Sequence, residues 1–340
     1  MVQDPGGAAM PVRVGVVGVG IMGYNHARVL TDLPGAELVG IADPDAGQRE
    51  KVAALLGCRA FASLDELVAQ GADALVIAAP THLHHDVALA AIHAGMHVLV
   101  EKPIAPSVAE AEAIVAAAKA KGVALVVGHV ERFNPAVEAV KNAIRDEEIL
   151  SIAITRVGPF PPRMSNVGVV IDLAVHDIDL ICHFTGSHIV DVQPQVKAAV
   201  AAREDIALLQ FRTANGVLAH INTNWLTPFK ARTVHVATRK KYVIGDLLTR
   251  QVTEYFDYKP DGSYSMRHLP VAYAEPLRLE LLRFLDAVRG GSAPAVTGED
   301  GVAAIATAMR CLEALEPTPT EPLPAEPTPA EPTPLRASVA

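Results

Sequence analysis

The chain reads as an α/β protein in two parts, a doubly wound parallel sheet followed by a large, mostly antiparallel one. Three observations predict this. As far as about Gly128, short apolar runs alternate with amphipathic stretches, which is the pattern of a parallel sheet with helical crossovers. Beyond that point strand-like runs follow one another with few helices between them. At 340 residues the chain also exceeds the usual size of a single hydrophobic core.

The first strand is Val12, Val14, Val16 and Val17, and Gly18, Gly20 and Gly23 open the helix after it, with Ile21 and Met22 between them. Gly18 permits a tight turn, Gly20 leaves room for a pyrophosphate, and Gly23 lets helix and strand pack closely. Unpaired N–H groups at the helix start suit phosphates. Asp43 closes the next strand, Glu37 to Ala42, where its carboxylate can accept from a ribose 2′-OH and would repel a 2′-phosphate. This predicts a nicotinamide dinucleotide site, for NAD rather than NADP.

Further strands are expected at Ala74–Ala79, His97–Val100 and Ala124–Val127, with a helix over Val108–Lys121. Ser63 with Glu66, and Ser107 with Glu110, have capping-box spacing. In the second part, strands are expected at Leu150–Val157, Ile206–Phe211, Val217–Trp225, Thr233–Thr238 and Tyr242–Ile244. Asn215-Gly216 is a hairpin signal between two of them. Helices follow over Pro276–Val288 and Glu299–Leu315. From Glu316 a five-residue Pro/Glu repeat has almost nothing apolar to bury. The expected organisation is therefore a disordered 1–10, a dinucleotide-binding domain 11–128, a substrate and oligomerisation domain 129–315, and a disordered tail 316–340.

Composition narrows the function. A formal charge of −9 without a basic cluster argues against nucleic acid or an anionic membrane surface. Cys58, Cys182 and Cys311 are odd in number and widely spaced, as in a reduced cytoplasmic protein. Neither a signal-peptide pattern nor a membrane-spanning apolar run is present.

Chemistry-bearing residues cluster where strands end. Lys102, in Glu101-Lys102-Pro103, follows a strand and could stabilise an alkoxide beside a nicotinamide; an exposed loop lysine is the bland alternative. Asp172 and His176 are four apart, hence on one face of a helix, where the carboxylate could orient the imidazole as a base for an alcohol proton. A capping Asp and an interior His would look the same. His82, His84 and His85 lack the partners of a metal site, and a loop lining the nicotinamide ribose, with Ala79, Pro80 and Thr81, fits better; no metal is expected. His129, Glu131, Arg132 and Asn134 suggest substrate contacts, with a hinge network as the competing reading. Trp225 is read as sheet packing, with a place in the pocket lining as the alternative.

From Val12 to about Leu315 the chain resembles the Gfo/Idh/MocA oxidoreductase family. The resemblance rests on GVGIMG, Asp43, AAPTHLHH, Glu101-Lys102-Pro103 and GVVIDLAVHDIDL. It implies an N-terminal Rossmann domain, a C-terminal α/β domain with an open sheet, dimers or tetramers, and NAD(P)-dependent oxidation of sugars or cyclitols. It also implies that Lys102, Asp172 and His176 hold the catalytic positions. Ala79, Pro80, Thr81, His84 and Glu101 would line the nicotinamide half. Within the family, GHVERFNPAV and VGVVIDLAVHDIDL look most like members that oxidise the 3-hydroxyl of UDP-N-acetylglucosamine.

Overall fold

A computed structural model describes residues 10–160 and 167–313. The ends expected to be disordered fall, apart from Met10, on residues 1–9 and 314–340, outside the described residues.

The first lobe is a parallel sheet of β1 (Val12–Val17), β2 (Ala36–Ala42), β3 (Ala60–Phe61), β4 (Ala74–Ile77), β5 (His97–Glu101) and β6 (Leu125–Gly128), in the order β3-β2-β1-β4-β5-β6. Helices α1 (Ile21–Leu30), α2 (Ala46–Leu56), α3 (Leu64–Val68), α4 (His84–His93) and α5 (Val108–Lys121) are its crossovers. The N-cap half of each capping box forms: Ser63 Oγ accepts from the Glu66 amide, and Ser107 Oγ from that of Glu110, each at 3.3 Å. Because the strand order reverses between β1 and β4, their carboxyl ends open a crevice, the place where this architecture binds ligands.

Two cores flank this sheet. On one face Ala27, Val29 and Leu30 of α1 pack with Val14, Val16 and Leu99 of the strands; on the other lie Ile92 of α4 and Ile114 of α5. After α6 (Pro135–Ala143) comes the second sheet: β7 (Ile149–Pro159), then, past α7 (Val175–Thr185), β8 (Ile189–Lys197), β9 (Ile206–Thr213), β10 (Leu218–Asn224), β11 (Leu226–Thr238), β12 (Tyr242–Asp246), β13 (Gln251–Phe256) and β14 (Ser265–Leu269). Eight strands run in the order β14-β13-β12-β11-β7-β10-β9-β8, all pairs antiparallel except β10 with β7. Gly216, with φ +89°, turns the chain between β9 and β10, as the Asn-Gly pair predicts.

Val137 and Val140 of α6, Ile178 and Ile181 of α7, and Ala304 and Ala308 of α9 (Gly298–Glu313) cover one face of this sheet. The other face carries exposed Leu208, Leu218, Tyr242 and Met266. By packing, α8 (Pro276–Val288) joins the first lobe: Leu281, Phe284 and Leu285 lie against β1, β4 and β5 with α1. A chain that returns to its first sheet locks the lobes together and fixes the crevice between them.

Candidate active site

The glycine turn has the geometry a dinucleotide needs. Gly18 sits at φ +81°, and a Cβ there would come within 2.6 Å of the Ala79 backbone. A Cβ on Gly23 would meet the Gly18 carbonyl oxygen at 1.8 Å, so only glycine allows α1 to approach β1 this closely. Gly20 is different. A Cβ there would meet nothing within 4 Å, so the space over the start of α1 is open to a pyrophosphate. Ile21 and Met22, both exposed, border that space. Asp43 stands at the end of β2, where Oδ2 accepts from the Val19 amide at 2.8 Å and Oδ1 from the Asp45 amide at 2.9 Å. Each oxygen keeps a free lone pair, so the carboxylate is held in place and still able to take a ribose hydroxyl. These features fit NAD.

Ala79, Pro80 and Thr81 follow β4 beside the glycine turn, as expected. His84 is buried between two loops. Its Nδ1 lies 2.9 Å from the Pro103 carbonyl and its Nε2 2.8 Å from that of Ala79, so the ring sits between the loop after β4 and the turn after β5 and, when neutral, donates to one of the two. Burial lowers its pKa, against the pull of those carbonyls. Glu101 also turns inward, placing Oε1 2.7 Å from Nε2 of His26, a residue of α1 that sequence reasoning did not single out. The only hint was a lone histidine on the buried side of that helix.

Lys102 emerges from the end of β5 through a cis peptide bond to Pro103 and crosses to the second lobe. Its Nζ donates to the Asp172 carbonyl at 2.7 Å and lies 3.2 Å from Asp172 Oδ1. The expected pairing of Asp172 with His176 is absent. Residues Val170–Ala174 form a π-helical turn that leads into α7. The Asp172 carboxylate goes to Lys102, and Nδ1 of His176 has no partner among the described residues.

His176 lies in the first turn of α7 and meets His129 edge to face, with ring centroids 6.2 Å apart. Burial holds the His176 pKa well below its ordinary value, and the next contribution is the charge of Lys102, followed by Arg156. His129 is lowered by burial too, with Arg132 and Lys102 adding to it against Asp179. The site therefore presents one ammonium and two neutral imidazoles, from both lobes.

Glu131, Arg132 and Asn134 are each engaged in ion pairs or hydrogen bonds to other elements, the arrangement that the competing hinge reading expects. Glu131 Oε1 accepts from Arg156 at 3.1 Å and from Arg232 at 2.8 Å. Arg156 also grips the fully buried Asp177 through Nε at 2.9 Å and Nη2 at 2.7 Å. Arg132 spans Asp179, at 2.7 and 2.5 Å, and Asp300, at 3.2 Å. Asn134 caps α6 and donates to the Leu247 carbonyl at 3.0 Å. Their polarity serves the joint between lobes. Trp225 is buried edge-on to Phe160 at 5.6 Å, which is sheet packing.

A parallel sheet with a dinucleotide turn, joined to a second lobe whose α7 carries His176 close enough to feel the Lys102 charge, fits an NAD-dependent oxidoreductase acting on CH–OH groups. Comparison with known proteins agrees. Residues 12–129 match the oxidoreductase family with an NAD-binding Rossmann fold, and residues 148–244 match the GFO/IDH/MocA C-terminal domain. The chain belongs to the Gfo/Idh/MocA family. It is 31% identical over 313 residues to UDP-N-acetylglucosamine 3-dehydrogenase of Acidithiobacillus ferrooxidans, covering 90% of this chain and 97% of the relative. A solved structure of that enzyme superposes with a TM-score of 0.84 over 90% of this chain and 98% of its own. Inositol 2-dehydrogenase 1 of Saccharopolyspora erythraea is 33% identical over 334 residues, 90% of this chain and 95% of the relative. Among the described residues, no helix is long and apolar enough to cross a membrane.

Proposed function

We propose that the protein is a cytoplasmic dehydrogenase that oxidises the 3-hydroxyl of UDP-N-acetylglucosamine to the 3-keto sugar nucleotide. The observation that carries the chemistry is Lys102 Nζ held at Asp172 beside the neutral His176. The substrate rests on the 31% identity, over nearly the whole chain, to an enzyme of that name.

His176, kept unprotonated by burial and by Lys102, accepts the hydroxyl proton. Lys102 stabilises the developing oxyanion, and Asp172 positions the ammonium. His129 flanks the His176 ring and lines the sugar side. Gly18–Gly23 and Asp43 would hold NAD, which would supply the hydride acceptor. The roles of Lys102 and His176 are exchangeable on this geometry.

A second reading, oxidation of myo-inositol or a free sugar by the same residues, is favoured by the 33% identity to an inositol 2-dehydrogenase. Incubation with NAD and a panel of UDP-sugars, free sugars and inositols, followed by NADH absorbance, separates them. The proposal expects the fastest reduction with UDP-N-acetylglucosamine. Faster turnover of an inositol refutes it, and no NADH with any compound indicates a cofactor-sensing regulator. The proposal includes self-association through the uncovered face of the second sheet, as a homodimer or homotetramer; a monomer in light scattering removes that part.

A further inference from the structure

Between the lobes a cavity of about 410 Å³ opens along α1, and three arginines from three elements line it. Met22, Asn25 and Arg28 are three residues apart on α1, so one face of that helix forms a wall. Arg232 of β11 and Arg250 of the turn between β12 and β13 belong to the second lobe. Val130 and Glu131, which directly follow His129 in the chain, line the cavity too. Arg232 is also near enough to His176 for its charge to depress that imidazole's pKa. The cavity therefore adjoins the reaction centre.

Two of the three cations are already matched. Arg28 pairs with Glu275, and Arg232 Nη1 lies 2.8 Å from Glu131 Oε1. Arg250 has neither an ion pair nor a hydrogen bond from its guanidinium among the described residues, and its Cζ lies 5.8 Å from the centre of the Tyr273 ring. Its backbone carries a second signal. Asp246 Oδ1 accepts from the Leu248 and Thr249 amides at 2.9 and 3.0 Å, and the turn so held leaves Arg250 at φ +59°. Glycine fills this left-handed region freely, whereas a side chain there costs stability. A long cationic residue at a glycine position, beside an open cavity, points to a task for the side chain.

We propose that Arg250 is a specificity-determining residue that binds the diphosphate of the sugar-nucleotide substrate in this cavity. The inference deepens the reading of UDP-N-acetylglucosamine as substrate and rests on it. A planar guanidinium with its donors unused can take two phosphate oxygens at once. Asn25 adds an amide donor to the same cavity. The cofactor's pyrophosphate belongs over Gly20, at the start of α1, and Arg28 lies about 12 Å further along the helix axis. An uncharged inositol would gain nothing from Arg250, so the cavity separates the two substrate readings.

The test compares wild type with Arg250→Gly, a change that relieves the backbone while removing the cation. Calorimetric titration of the NAD-bound proteins with UDP alone is expected to show binding that R250G weakens at least about tenfold. The KM for UDP-N-acetylglucosamine should rise by a similar factor. R250G should melt no lower than wild type and bind NAD equally well. Equal UDP affinity in the two proteins, or no UDP binding by wild type, overturns the proposal. A loss of NAD affinity would assign Arg250 to the cofactor's pyrophosphate, and a clear fall in melting temperature would make it a structural residue; either result also overturns it. The two readings fail separately. UDP binding that depends on Arg250, in a protein that oxidises no UDP-N-acetylglucosamine, keeps the diphosphate site and removes the substrate. Oxidation of that sugar nucleotide with the same KM in both proteins keeps the substrate and removes the role of Arg250.

Discussion

Two polar regions lie side by side at the joint between the lobes, built from the same kinds of residue with opposite outcomes. In the network of Glu131, Arg156, Asp177 and Arg232, every carboxylate is matched by a guanidinium. Beside it, Lys102, His129 and His176 leave capacity unused: Nδ1 of each imidazole is unpartnered among the described residues, and the ammonium is met only by Asp172. Saturation makes a strut. Incomplete pairing makes a site, because only groups with spare valence can take a proton or an oxyanion.

If the network is a strut, breaking it should cost stability first. Arg156→Ala leaves two buried carboxylates facing each other and is expected to lower unfolding free energy by about 3–5 kcal/mol, read by urea melts. A loss below about 1 kcal/mol would place the joint's strength elsewhere. Arg132→Lys keeps the charge but loses the paired contact to Asp179; a smaller loss of about 1–3 kcal/mol is expected in the same assay.

On the cofactor side, Asp43→Ala should shift the NAD-to-NADP efficiency ratio toward NADP by about tenfold, ~1.4 kcal/mol. An unchanged ratio would deny the ribose contact. The smallest effect is expected from acid. His176 acts as a base only when neutral, and burial with Lys102 holds its pKa low, so kcat/KM should stay level as pH falls through about 6.5, the usual imidazole value. Stability moves the other way. Histidines with lowered folded pKa values, His176, His129 and His183 (lowered to about 4), bind protons in the unfolded chain first. The melting temperature should therefore drop as pH falls from about 6.5 toward 4, while turnover per folded molecule holds. An acid limb centred near 6.5 would mean an ordinary, solvated base.

Local chemistry explains which parts were readable from sequence. The glycine turn, Asp43, the capping boxes and the Asn-Gly hairpin all depend on residues close along the chain. β8 was missed because Pro194 interrupts its pattern; the structure places it at the sheet edge, where a missing amide donor is tolerated. β13 and β14 escaped as well, lying at the opposite margin of the sheet. At the site the partner of Asp172 was not legible, since Lys102 lies 70 residues away and a π turn leaves no clear mark on spacing. Glu131, Arg132 and Asn134 look like ligands in one dimension because their partners, Arg156, Asp179 and Leu247, lie far away in sequence. His26 was invisible for the same reason, its partner Glu101 lying far along the chain.

The central claim is that an ammonium from one lobe and an imidazole from the other act on a single alcohol. Single-turnover NADH formation by Lys102→Ala and by His176→Ala, each saturated with NAD and UDP-N-acetylglucosamine, tests it most directly. Each variant is expected to bind NAD normally and to transfer hydride at least about a hundredfold more slowly than wild type. Near-wild-type hydride transfer in either one would contradict the shared site.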